Sequence, residues 1–211
     1  MSINNIELIK PLLNLTEEGD FVQLYIFKRK KDQLEGEKDN HQSVRTIKSY
    51  SVENIEYLEK KMDEIIQLCE MFKARAYIHI NKQNHKDIGL LMMEKLANRL
   101  RQGVIRQNHI FDSVVGELHS KEKRWIVDVD SKTDEATELQ INIINWCEPV
   151  GHKIIAQIPT KNGLHLITHP FNVQQYNDKH LNLFLTGEDF NKCDIQKRNP
   201  TLLYLPNSLE I

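Results

Sequence analysis

An α+β fold is predicted for this chain by three observations. Short apolar runs of strand length alternate with segments whose apolar residues recur every three or four positions. Asn162-Gly163 separates two of the strand-like runs, and Asn-Gly is a strong hairpin signal. From Arg124 onward the elements read strand, helix, strand, strand, helix, strand, the order of one antiparallel sheet covered by two helices on one face.

The elements follow in order. Phe21–Phe27 (FVQLYIF) and Val44–Tyr50 are strands, joined across the charged stretch Lys28–Ser43, which reads as a long solvated hairpin loop. Ser51 is placed as the N-cap of a helix whose apolar residues Ile55, Leu58, Met62, Ile65, Ile66 and Cys69 share one face. Ala74–Ile80 is a strand. Leu90–Leu100 is a second helix, ended by Gly103, and His109–Leu118 is a further helical piece. In the second half Arg124–Asp130 is a strand, and a helix runs from Thr133 to about Cys147, with Asp134 and Glu135 at its positive end. Lys153–Ile158 and Leu164–His169 are strands, Val173–Leu183 is a short helix, and a final strand region lies within Cys193–Leu205. The expected organisation is one compact unit of two lobes with a cleft between them. Residues 1–120 form an N-terminal α/β lobe and residues 121–211 a C-terminal RRM-like (βαββαβ) lobe.

Composition bounds the function. The chain has 211 residues, 40% of them apolar and 27% charged, which excludes a disordered chain. With 28 basic against 30 acidic residues the net charge is −2, which excludes a general polyanion-coating protein but leaves room for one basic groove. Three widely spaced cysteines predict a reducing compartment and no zinc knuckle. The opening MSINNIELIKPLLNL lacks the basic and apolar regions of a signal peptide, and nowhere do 18 apolar residues run together. The expectation is a cytoplasmic protein with no membrane partner.

The chemistry-bearing residues cluster in the second half. Asp128 and Asp130 are two apart on a strand, so both carboxylates point to one face, about 6.5 Å apart along the backbone. Two such acids repel each other unless a cation lies between them, and hard oxygen ligands suit Mg²⁺ or Mn²⁺. The turn Lys161-Asn162-Gly163 delivers His165 onto the start of a strand beside the acidic one, and His169 shares its parity. A histidine, a lysine and turn amides there suit phosphate. Asp194 opens the last strand region and would add a third acid, enough for the paired-metal arrangement of in-line phosphoryl transfer. Read blandly, each residue alone is a strand-end acid, a packing histidine or a turn acid.

The succession Ile126-Val127-Asp128-Val129-Asp130, Gly163-Leu164-His165 and Cys193-Asp194 resembles the archaeo-eukaryotic primase (primase-polymerase) superfamily, with its hydrophobic-D-x-D, small-x-His and hydrophobic-acid motifs. The likeness covers about Arg124 to Ser208 and suggests a minimal catalytic core of the kind found in phages and mobile elements. It implies a two-lobed primase-like core and a nucleotidyltransferase acting in nucleic-acid replication or repair. It also implies that Asp128, Asp130 and Asp194 bind the divalent metals and that His165 touches the phosphates of the incoming nucleotide. Nucleoside triphosphates, a single-stranded DNA template and a separate helicase or replication protein are the partners it implies. Among the departures, Tyr204 stands where members often carry arginine; Lys161, Lys197 and Arg198 are the candidate substitutes, and Gly163 of the His165 motif is also expected at the nucleotide. A metal-dependent nuclease, or a degenerate relative that binds nucleic acid or a partner protein, remains the alternative.

Other residues are assigned more simply. Lys28, Arg29, Lys30 and Lys31 are candidates for tracking a template backbone, extended by Arg45 and Lys48. Trp125, Trp146 and Tyr77 are assigned to the core, as is His79, and His85-Lys86 precedes a helix.

Overall fold

The charged stretch after Phe27 does separate two paired strands. β2 (Asp20–Arg29) and β3 (Val44–Val52) are antiparallel from Val22↔Val52 to Arg29↔Val44, with a bulge at Ile26/Phe27. The computed structural model describes residues 2–29, 32–33, 44–104, 110–117, 120, 122–185 and 193–207. Among these the fold is α+β, built on two antiparallel sheets.

The first sheet has the order β1-β10-β4-β2-β3, where β1 is Ile3–Asn4, β4 is Arg75–Ile78 and β10 is Thr201–Leu205, and β5 (Gln83–Asn84) pairs with β2. A short helix, α1 (Ile6–Ile9), follows β1. Helix α2 (Ile55–Phe72) turns Leu58, Met62, Ile65 and Cys69 inward onto Leu24, Ile26, Ala76 and Ile78. Each such fully buried aliphatic side chain contributes about 1.5–3 kcal/mol. The N-cap of α2 is Asn54, whose side chain accepts from the Tyr57 amide at 2.7 Å, and not Ser51, which lies in β3. Both are capping residue types; the strand simply runs two positions further, to Val52, before the chain turns. Helix α3 (His85–Arg101) likewise starts five residues before Leu90, capped by Asn84, and its first residue, His85, stacks on Phe21 at 4.1 Å. It packs through Ile88 against Phe21 and against Val114 and Val115 of α4 (Ile110–Glu117).

The second sheet has the order β7-β8-β6-β9, with β6 Trp125–Val129, β7 Ile154–Pro159, β8 Leu164–Thr168 and β9 Asp194–Gln196. Helices α5 (Asp134–Trp146) and α6 (Val173–Leu185) cover one face, where Val127, Val129 and Leu166 meet Ile143, Ile144, Cys147 and Tyr176. The buried Lys153 ammonium closes the end of α5, donating to the carbonyls of Ile144 at 2.9 Å and Asn145 at 3.2 Å. On the opposite face Ile126, Ile158 and Ile167 enter the core of the first sheet, so the two sheets share apolar residues. Asn5 ties them further, donating to the carbonyls of Pro159 and Leu202, each at 2.9 Å.

Two further expectations are corrected. The final strand region, Cys193–Leu205, divides: β9 joins the second sheet, but β10 crosses to the first and sits between β1 and β4. All five β10 residues, TLLYL, are buried. A run with no polar alternation requires cover on both faces, which β10 has as an interior strand of the first sheet. Residues 201–205 are thus structurally part of the sheet formed by the first half of the chain. Trp146 is 55% exposed, with the Lys179 ammonium 5.7 Å from its ring centre, whereas Tyr77 is buried and Trp125 packs edge-on against Phe171.

Asn54→Ala is expected to cost about 1 kcal/mol in urea unfolding, and Asn54→Asp to keep the cap and most of that stability.

Candidate functional site

β6 is paired on both sides, and the registers bring the separated motifs together. Asp128 lies opposite His165 of β8 and opposite Asp194 of β9. Side chains alternate, so Ile126 and Asp128 share one face with Ile167, His165, Asp194 and Gln196, while Val127, Val129 and Leu166 pack under the helices. Cys193 is buried behind the sheet and Asp194 is exposed in front of it, which is why the motif reads apolar then acidic.

Gly163 makes the hairpin fit. A Cβ there would stand 1.9 Å from the Val129 carbonyl oxygen and 2.7 Å from that of Ser131. The turn therefore lies directly against the end of β6, and only glycine permits the approach that seats His165 beside Asp128. The sequence reading assigned Gly163 to phosphate; its backbone contact accounts for the glycine without one.

Asp128 is half-buried. Burial, then the charges of Asp130 and Asp194, raise its pKa, while Arg29 and a 3.4 Å hydrogen bond from Gln196 work the other way. His165 is buried, and desolvation followed by the nearby Arg29 charge lowers its pKa to about 4. It is therefore neutral near pH 7, and its 3.5 Å approach to the Asp128 carboxylate through Nε2 is a polar contact rather than an ion pair. Its Nδ1 lies 2.9 Å from the buried Thr201 hydroxyl of β10. The carboxylate beside Nε2 favours a proton on that nitrogen, leaving Nδ1 to accept from Thr201.

Arg29, from the end of β2, was grouped in sequence with a template-tracking tract. Here its charge bears on both Asp128 and His165, and its guanidinium donates to the Tyr77 hydroxyl and stands over that ring at 5.2 Å. Arg29, Gln196 and Thr201 are the residues that sequence reasoning did not place in this cluster. Their only sequence signal was position on strands whose pairing was unknown.

The other expected residues lie apart from this cluster or at its margin. Asp130 is exposed just past the end of β6. Lys161 is half-exposed in the β7–β8 turn, and Arg198 is exposed between β9 and β10. Lys197 stands 4.6 Å over the ring of Trp125, which packs on the helix-covered face, so strand alternation carries it away from Asp128. His169 is exposed beyond the end of β8, its amide bonded to the Lys153 carbonyl. Lys28 is buried, unsuited to tracking a backbone; Lys30 and Lys31 lie outside the described residues. Lys48 is engaged by Glu64. The three cysteines are buried and form no disulfide. Among the described residues no group of three or more His, Cys, Asp or Glu side chains is closed into a metal-ligand cluster, and no helix is long and apolar enough to cross a membrane. A polar cavity of about 530 Å³ lies elsewhere, at the start of α3 between Asp20, Lys82 and Asp87.

Gly163→Ala should force β6 and the turn apart, and a loss of about 3 kcal/mol or more is expected in urea unfolding. A second expectation concerns pH. His165 titrates near 4 when folded and near 6.5 when unfolded, so between those values only the unfolded chain takes up the proton. Stability should fall as pH drops through that window, at up to about 1.4 kcal/mol per pH unit. His79, lowered by burial to about 4, adds to the slope, whereas the raised pKa of Asp128 opposes it. Urea midpoints at pH 7 and 5 should differ less in His165→Gln than in the unsubstituted protein.

Comparison of the chain with family models, with curated proteins and with solved structures finds no match.

Proposed function

We propose that the protein is a divalent-metal-dependent nucleotidyltransferase of the primase-polymerase kind, with Asp128, Asp194 and His165 at its centre. The observation that carries this reading is the register of β6, which sets Asp128 opposite His165 on one edge and Asp194 on the other. The strand order β7-β8-β6-β9 beneath two helices supports it, being the order of an RRM-like catalytic lobe, with the first sheet as the second lobe.

The donor set suits Mg²⁺ or Mn²⁺. Burial, and then the charges of Asp130 and Asp194, raise the Asp128 pKa, a strain that a hard dication would relieve. When bound, the metal supplies charge neutralisation for a triphosphate and for the attacking 3′-hydroxyl. Asp128 and Asp194, with Asp130 at the margin, are its ligands. Gln196 orients one Asp128 oxygen. His165, neutral and turned by Thr201, offers Nε2–H to a phosphate oxygen. Arg29 provides the fixed positive charge missing at Tyr204, whose hydroxyl donates instead to Glu70 at 2.8 Å. Single-stranded DNA is the proposed template, a separate helicase or replication protein the proposed partner, and the cytoplasm the proposed location.

The test is synthesis on single-stranded DNA with Mn²⁺ or Mg²⁺ and nucleoside triphosphates. Asp128→Asn and Asp194→Asn are each expected to reduce it by about 100-fold or more. Without divalent metal both variants should melt at or above the unsubstituted protein, because a like-charge cross-strand contact has been removed. Metal-dependent cleavage with no need for triphosphate would make the site a nuclease. Failure of both activities, with nucleic acid still bound, would make it a degenerate binding module.

A further inference from the structure

Helix α3 is apolar on two sides. Its inner side, with Ile88, Leu91 and Met92, packs around Phe21 and α4. On its outer side Leu90, Met93 and Leu100 are 53%, 62% and 57% exposed, Ala97 lies exposed between them, and Val104 continues the line just past the helix end. Within the helix the spacing 90, 93, 97, 100 runs three, four, three, which is the seam of a coiled coil and not a scatter of surface leucines.

We propose that this seam is the interface of a homodimer in which α3 of one copy lies antiparallel along α3 of a second. The flanking residues carry the choice of partner. In an antiparallel pair the seam positions meet as Leu90 with Leu100 and Met93 with Ala97 of the second copy, each twice by symmetry. One flank of the seam holds Asp87, Glu94 and Arg101, all exposed. In this register Asp87 of each copy meets Arg101 of the other, two opposite-charge contacts, with Glu94 facing its own counterpart at the centre. The other flank holds Gly89 and Leu96, so Leu96 meets Leu96 of the second copy. Nothing lies within 4 Å of a Cβ built on Gly89, leaving its side of the helix open to close approach. A parallel pair would instead set the charged flank against the glycine–leucine flank and match no charges. The pattern is thus self-complementary in one orientation. A helix of 17 residues spans only about 25 Å, so the dimer is expected to be weak, in the micromolar range. This inference does not rest on the proposed chemistry at Asp128.

Sedimentation across a concentration series up to about 100 µM tests it. The unsubstituted protein should pass from monomer to dimer. Met93→Glu should abolish the dimer and Arg101→Asp weaken it by about tenfold or more. Asp87→Arg combined with Arg101→Asp should restore it, and Glu94→Gln should tighten it. All four positions are outward-facing, and circular dichroism with thermal melting checks that each variant is folded. A monomer at every concentration, a dimer indifferent to Met93→Glu, or a charge swap that fails to restore association in a folded protein would overturn the proposal.

Discussion

Strand β6 is hydrogen-bonded along both edges, and the arrangement of the second sheet follows from that double pairing. A one-residue slip of either neighbour would exchange its two faces. His165 or Asp194 would then turn towards the helices, and Leu166 or Ile195 towards the site. Two features oppose the slip. Val127, Val129 and Leu166 are fully buried under α5 and α6, so reversing them would expose apolar side chains. Gly163 seats the turn on the backbone of Val129 and Ser131, an approach that no other residue type accommodates.

The same pairing is electrostatically unfavourable. Asp128 is partly desolvated among like charges, and His165 is buried in its neutral form within the field of the Arg29 charge. Neither arrangement serves stability, since apolar or amide side chains would satisfy the same strand positions at lower cost. The protein carries this strain in one corner of an otherwise apolar junction, where Ile126, Ile158 and Ile167 close the space between the sheets. Arg29 and Tyr77 reach that corner from the first sheet, so the cluster depends on both sheets being present.

Much of this was legible in the sequence, and the reason differs by element. Alternation around Asp128, the Asn-Gly turn and the apolar-acid step at Cys193-Asp194 are local signals, and each corresponds to the observed strand or turn. The candidate acids and His165 were readable because they lie on those elements. What was not readable depends on pairing at long range. TLLYL announces a strand but not its sheet, and its uniform burial has meaning only once β1 and β4 flank it. Arg29 sits in a charged run whose composition suggests solvent, yet its distance in sequence from Asp128 conceals their electrostatic contact. Nothing local in the sequence tells that Lys197 lies on the Trp125 side of its strand, or that a residue as large as Trp146 faces solvent.

The position of β10 also bears on how the chain is assembled during synthesis. An interior strand of the first sheet is supplied by residues 201–205, while its neighbours, β1 and β4, are made long before. On a ribosome the first half would wait with an open gap between two strand edges, unable to complete its sheet. The second sheet, formed entirely from residues 125–196, can close first. Thr201 would therefore meet His165 only in the last folding step, so the chemical cluster would be finished when the backbone is finished and not before.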